Sequence, residues 1–145
     1  MSFKKVVDTC ALPCNVSEKD VNVFYFYKTV IEDDMDEELL FSEAFNKIDN
    51  NEMYDVIKFI GNIWFGITSN CTTCIYIDFN EDEIDVTNAI KFFDKKHWKL
   101  NAGFMYLDNN YTKIIVTSSK PPDEFFLSSV KWKNICKCFK ISQIK

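Results

Sequence analysis

Apolar positions along the chain fall into alternating and helical rhythms that divide it into a short series of elements. Val21–Ile31 is dense in β-branched and aromatic residues and alternates at Val21, Val23, Tyr25 and Tyr27. Both of its faces are apolar, which predicts a central strand, although Ser17 with Asp20 offers an alternative helix cap there. Asp33–Asp36 reads as a helix start: Asp34 caps, and Asp36, Glu37 and Glu38 complement the positive end of the helix dipole. Phe41, Ala44, Phe45 and Ile48 follow at helical spacing, and Asp49-Asn50-Asn51 breaks the run. Met53, Val56, Ile57, Ile60, Ile63 and Trp64 then fit the stripe of a second helix, weakened at its end by Gly61 and Gly66.

Cys74–Phe79 is a short strand, and Asn80–Asp85 an acidic loop. Thr87 can cap a third helix whose inner face reads Ala89, Ile90, Phe93 and His97. Gly103–Leu107 and Tyr111–Thr117, joined by Asp108-Asn109-Asn110, carry a hairpin signal. Pro121-Pro122 stops that sheet, and Pro122 followed by two acids favours a last helix through about Phe139. The end, Ile135–Ile144, reads equally well as a strand. The order β-α-α-β-α-β-β-α predicts an α/β or α+β fold, with a mixed sheet of about four strands and about four helices packed on it. Two-layer folds of this order include the thioredoxin-like class. Residues 1–145 are expected to form one domain, with residues 1–20 as an irregular arm.

Composition adds bounds. Of the 145 residues, 47% are hydrophobic and 27% charged, with three Gly and three Pro, which excludes disordered, collagen-like and linker classes. No apolar run approaches the ~18 residues of a membrane span. The N-terminus, Met1-Ser2-Phe3-Lys4-Lys5, lacks the apolar core of a signal peptide, so the expected location is cytoplasmic. All 17 basic residues are Lys. That removes the planar fork that grips phosphate bidentately and any arginine finger. The Asn-, Ile-, Phe- and Lys-rich composition is that of an AT-rich genome, and the expected source is a virus, a parasite or a low-GC bacterium. Charge is uneven: residues 1–90 carry 6 Lys and 18 acids, net −12, and residues 91–145 carry 11 Lys and 4 acids, net +7. Either the two halves address different partners or they compensate each other in the fold.

The candidate chemistry is thin. Six Cys fall in pairs, Cys10/Cys14, Cys71/Cys74 and Cys136/Cys138, and without a secretory signal they are expected to be free thiols. Cys71-Thr72-Thr73-Cys74 has the spacing of zinc ligands and of a redox motif. It precedes a strand rather than a helix N-terminus, which removes the dipole that activates a redox thiol. A structural zinc on Cys71, Cys74, Cys136 and Cys138 is the alternative to small buried thiols acting as apolar filler, and no other cofactor is expected. His97 is the only histidine. His97-Trp98 entering a strand, with a cysteine downstream, resembles a class of Cys/His acyl-transfer and papain-like proteins. The resemblance implies a thiol hydrolase or acyltransferase pairing His97 with Cys136, or with Cys71. The Asn-Cys pair of that class is interrupted here as Asn134-Ile135-Cys136. Asp78–Asp82 starts like a calcium loop, but Glu83 and Ala89 stand where Gly and Glu are needed. The Gly residues are isolated, so no phosphate-cradling loop exists.

Two features suit binding. The tail interleaves bases with aromatics, and as a helix it separates Trp132, Ile135, Cys136 and Phe139 from Lys133, Lys137 and Lys140. That arrangement suits single-stranded nucleic acid or an anionic surface, against the plainer reading of a packed terminal helix. Aromatic residues make up 16% of the chain, and Phe24/Phe26, Phe92/Phe93 and Phe125/Phe126 are the pairs expected to leave rings exposed. The acids Asp33, Asp34, Asp36 and Glu37 beside such a patch would steer a basic partner. By elimination the expected function is a non-enzymatic protein-binding module, an adaptor or antagonist acting on a host protein. The Cys/His enzyme and the nucleic-acid binder are the alternatives.

Overall fold

The computed structural model describes residues 18–145. A six-stranded sheet of order β3-β2-β4-β7-β1-β8 forms its centre, and a separate two-stranded ribbon pairs β5 with β6. The elements are β1 (Asn22–Tyr27), α1 (Asp34–Phe45), β2 (Asp55–Ile60), β3 (Ile63–Phe65), β4 (Thr73–Phe79), α2 (Val86–Phe93), β5 (Lys99–Asn101), β6 (Tyr106–Asp108), β7 (Lys113–Ser118), α3 (Val130–Cys136) and β8 (Lys140–Gln143). Strands β2, β4, β7, β1 and β8 run parallel to one another, and β3 turns back antiparallel to β2 at one edge. Helix α1 packs on one face of the sheet, against β1 and β7. Helices α2 and α3 cover the other face. The fold is therefore α/β with a mixed sheet, as the element order implies, but with six strands and three helices instead of four of each.

Three elements differ from the sequence expectation. Residues 53–64 form a β-hairpin, not a helix. Asp55, Ile57 and Phe59 are buried while Val56 and Ile60 are exposed, so the strand period governs. Gly61 and Asn62 both have positive φ, +60° and +65°, and form the two-residue turn that strand twist favours. Ile57 and Trp64 face the core while Ile60 and Ile63 face the other side, so apolar residues on both faces of the hairpin mimic a helical stripe. Gly66, at φ +88°, closes β3 against β2, and a Cβ there would lie 2.0 Å from the Val56 carbonyl oxygen.

The expected antiparallel hairpin of Gly103–Leu107 with Tyr111–Thr117 does not form. Strand β7 enters the main sheet parallel to both β1 and β4, and β6 pairs with β5 instead. The intervening Asn109 is a buried junction, not a turn tip. It donates from Nδ2 to the Phe92 carbonyl (2.8 Å) and accepts at Oδ1 from the Tyr111 N–H (3.2 Å) and from Lys19 Nζ (2.8 Å). The last expected helix splits into a 3-10 turn at Pro122–Glu124 and α3, capped by Ser129, and the chain ends as β8.

The core is aromatic. On the face covered by α2 and α3, Phe79 lies within 6.4 Å, centroid to centroid, of Tyr25, Tyr76, Phe93, Phe125, Phe126 and Trp132. Simple alternation would send Phe79 to the α1 face with Ile75 and Ile77. A bulge between Tyr76 and Phe79 reverses this: Asp78 sits at φ +57°, its N–H donates to Thr117 Oγ1 (2.9 Å), and Phe79 swings into the aromatic cluster.

At the opposite end of the strands, Glu52 ties three segments together. Its carboxylate accepts from Thr73 Oγ1 (2.6 Å), the Asp49 N–H (2.9 Å) and Lys113 Nζ (3.0 Å). The Thr73 and Asp49 hydrogen bonds, then Lys113, hold its acid constant down at about 2. A carboxyl held below its unfolded value near 4.5 adds stability above that value and loses it as pH falls toward 2. Glu52→Gln is expected to cost about 1–3 kcal/mol at pH 7, the range of a charged hydrogen bond. The gap between variant and native chain is expected to close as urea midpoints are followed from pH 5 to pH 2. A gap that stays constant through that window would disprove the assignment.

Candidate functional site

The first helix starts in the expected acidic run, but its cap is Asp33 and Asp34 is its first helical residue; α2 is likewise capped by Asp85 and not by Thr87. Asp33 is the N-cap of α1, and its Oδ1 accepts from the Met35 and Asp36 N–H groups at 3.0 and 3.2 Å. Asp36 accepts from the Glu32 N–H (2.9 Å) and lies 3.8 Å from Lys28 Nζ, so Asp33 and Asp36 are engaged in local structure. Asp34, Glu37, Glu38 and Glu43 are exposed, and α1 contains five acids and no base. Ion pairs that join the two halves of the chain include Lys113 with Asp49 and Glu52, and Lys120 with Glu81. Compensation between the halves is thus partial, and the outer surface of α1 remains acidic.

Beside α1 the sheet is bare. Positions on the α1 face alternate as Tyr54, Val56, Lys58 and Ile60, and β3 adds Ile63 and Phe65, paired with Ile60 and Lys58. Val56 is 46% exposed, Ile60 51% and Phe65 51%. Lys58 does not fill the gap, because its ammonium reaches away to the Ile77 and Asp78 carbonyls and to Glu83 at 2.7 Å. The Phe45 ring meets Tyr54 edge-on at 6.1 Å and links the end of α1 to this face. The turn of the β5–β6 ribbon extends it: Asn101 Nδ2 donates to the Asn62 carbonyl (3.1 Å), and the site of a Gly103 Cβ lies 3.9 Å from Ile63 Cγ2. At that tip Phe104 is fully exposed, and Met105 and Tyr106 are more than half exposed.

The exposed aromatics are therefore not the expected pairs. Phe26, Phe92, Phe93 and Phe125 are buried, with Phe24 and Phe126 partly so, whereas Phe45, Phe65 and Phe104 face solvent. Once 55–65 is read as a hairpin about Gly61-Asn62, the alternation of Val56 and Ile60 against Ile57 and Phe59 exposes the bare face. The helical reading hides that signal.

The basic tail does not assemble into one surface. Trp132 is fully buried and its Nε1 donates to the Pro122 carbonyl (2.8 Å). Lys133 and Lys137 are exposed at α3, on one side of the sheet. Lys140 lies in β8, with its Nζ 4.9 Å above the Phe24 ring on the α1 side and donating to Asn22 Oδ1 (3.0 Å). Between α2 and α3 a groove of about 270 Å³ is lined by Val21, Val23, Ile90, Phe93, Ile135 and Phe139, with Cys138 at its edge.

The four described thiols, Cys71, Cys74, Cys136 and Cys138, are free, and the first three are buried. Burial raises all three acid constants, that of Cys136 to about 12. A thiol so raised holds a negligible thiolate fraction at neutral pH. His97 follows α2 instead of lying on its inner face, because α2 ends at Phe93. Its Nδ1 is 2.9 Å from Asn110 Oδ1, and no hydrogen bond among the described residues joins it to Cys136 or Cys71. Among the described residues, no three His, Cys, Asp or Glu side chains converge where they could hold a metal ion. Cys10 and Cys14 lie outside the described residues. No helix among those residues is long and apolar enough to cross a membrane. Compared with known protein families and with curated proteins, the chain matches no family model and no curated sequence.

Proposed function

We propose that this chain is a non-enzymatic protein-binding module, an adaptor or antagonist that engages another protein through the bare α1-side face of β2 and β3. One observation carries this reading. Strands of a parallel sheet are stable when both faces are covered, and β2 presents Val56 and Ile60 on a face that no helix among the described residues covers. Contiguous apolar surface of this kind marks interaction sites. The fully exposed Phe104 at its margin supplies the type of aromatic anchor on which interfaces concentrate their energy. A cytoplasmic host protein is the partner class we propose.

The test is a pair of baits, the native chain and Ile60→Asp, used against the same lysate and compared by mass spectrometry. The native bait is expected to retain a near-stoichiometric protein through high salt and nuclease, and Ile60→Asp to lose it with unchanged circular dichroism and melting temperature. Ile60 is half exposed, so the aspartate costs little in the fold. A partner retained by Ile60→Asp and by Phe65→Asp removes this surface from the function.

A further inference from the structure

The bare face has a shape and a charged border, and together they specify what kind of element fits it. Resting on the reading above, we propose that the partner covers β2 and β3 with a basic amphipathic α-helix, laid beside α1 where no helix among the described residues covers this side of the sheet. Strand β2 has six residues, about 20 Å at the usual rise, which a helix of about 13 residues spans. Packed helices lie about 8–10 Å apart, so an incoming helix seated over Val56 and Ile60 borders α1 along its length. The flank of α1 that carries Phe45 also carries Glu38 and Asp34, at spacings of seven and eleven residues, and α1 has no Lys. The apolar residues of the incoming helix therefore face Val56, Ile60, Phe65 and the Phe45–Tyr54 pair, and its Lys or Arg residues face α1.

Charge also argues against a second copy of this chain as the occupant. A two-fold contact through this face brings two helices of five acids each into one interface, while the base on the face itself, Lys58, is already paired with Glu83.

The probes are two 18-residue amphipathic peptides of identical pattern, one Leu/Lys and one Leu/Glu, titrated into the full ¹⁵N-labelled chain. The Leu/Lys peptide is expected to shift amide signals of β2, β3 and α1 and to bind at least tenfold more tightly than Leu/Glu. Its affinity is expected to fall with added salt and to drop at least tenfold in Ile60→Asp and in Phe65→Asp. Failure to bind, equal binding of both peptides, or binding indifferent to both variants overturns the proposal, the last being loose attraction to an acidic surface. A dimer in sedimentation that Ile60→Asp dissociates also overturns it, by giving the face to a second copy. If Ile60→Asp loses its captured partner but the Leu/Lys peptide does not compete for that partner, the helix proposal fails while the binding face stands. Retention of the partner by both variants is the separate failure of the face itself.

Discussion

Phe79→Ala is expected to destabilise the chain by about 3–5 kcal/mol, the range for removing a large ring from a packed core. Phe104→Ala is expected to change stability by no more than about 0.5 kcal/mol. The two residues are chemically identical and differ in surroundings. Phe79 is fully buried at the centre of six aromatic neighbours, edge-on to Phe125 at 5.0 Å and stacked with Trp132 at 5.7 Å. Its removal takes away the ring's transfer energy and leaves a void bounded by rigid rings that close poorly over it. Phe104 touches water on all sides. Domains of this size are stable by about 5–15 kcal/mol, so the first variant approaches the unfolding threshold at 37 °C and the second does not. Urea midpoints of the two variants decide it. A loss under about 1.5 kcal/mol for Phe79→Ala would show that the aromatic cluster is loosely packed and that the Asp78 bulge does not direct the core.

The same contrast shows what was legible in the sequence. Strong local signals gave the right elements: the acidic start of α1, though with Asp33 and not Asp34 as its cap, the apolar run of β1 and the short strand β4 all form near where residue chemistry alone places them. Two of the errors share a cause, which is that pairing across the sheet is non-local. Whether 53–64 is helix or hairpin depends on β4 offering a parallel edge to Asp55–Ile57, and nothing within the segment encodes that. Likewise Tyr111–Thr117 is a strand, but its neighbours β1 and β4 lie far away in the chain, not across the adjacent turn. The bare face was hidden by the same ambiguity. Its acidic border was visible as Asp33–Glu38, whereas its apolar floor appears only when β2 is known to be a strand that α1 does not reach. Trp132 shows the converse: an aromatic among lysines looks like a binding residue, yet its indole N–H already has a backbone partner in the core.

Alkali is expected to unfold this chain steeply, because its buried acids are mostly tyrosines and thiols. Burial raises the acid constants of Tyr25, Tyr76 and Tyr111 far above the usual phenol value; at Tyr111 the bond to the Asp55 carboxylate (2.5 Å) adds to this, and at Tyr76 the charges of Glu83 and Asp78 do. In the unfolded chain these phenols ionise near pH 10, while in the folded chain they keep their protons. The folded state therefore binds more protons above pH 10, and stability falls there by about 1.4 kcal/mol per pH unit for each tyrosine. Cys71, Cys74 and Cys136, raised by burial, start the same decline from about pH 8.5. Lys19 has the opposite sign. Its burial lowers the ammonium to about 8, so between 8 and about 10.5 the unfolded chain holds a proton that the folded one has released, and stability gains there. One lysine offsets one thiol, and above pH 10 the tyrosines dominate. Absorbance at 295 nm is expected to show these phenolates only as near-ultraviolet circular dichroism is lost. Tyr76 gives the sharpest check, since its buried hydroxyl has no hydrogen-bond partner among the described residues. Tyr76→Phe is expected to leave neutral-pH stability unchanged or slightly raised, and to flatten the slope above pH 10 by one tyrosine's share, about 1.4 kcal/mol per pH unit. Phenolate absorbance appearing near pH 10 in a chain that is still folded would mean that these hydroxyls reach water, and that the aromatic core is open where the packing of Trp64, Tyr76 and Phe92 makes it closed.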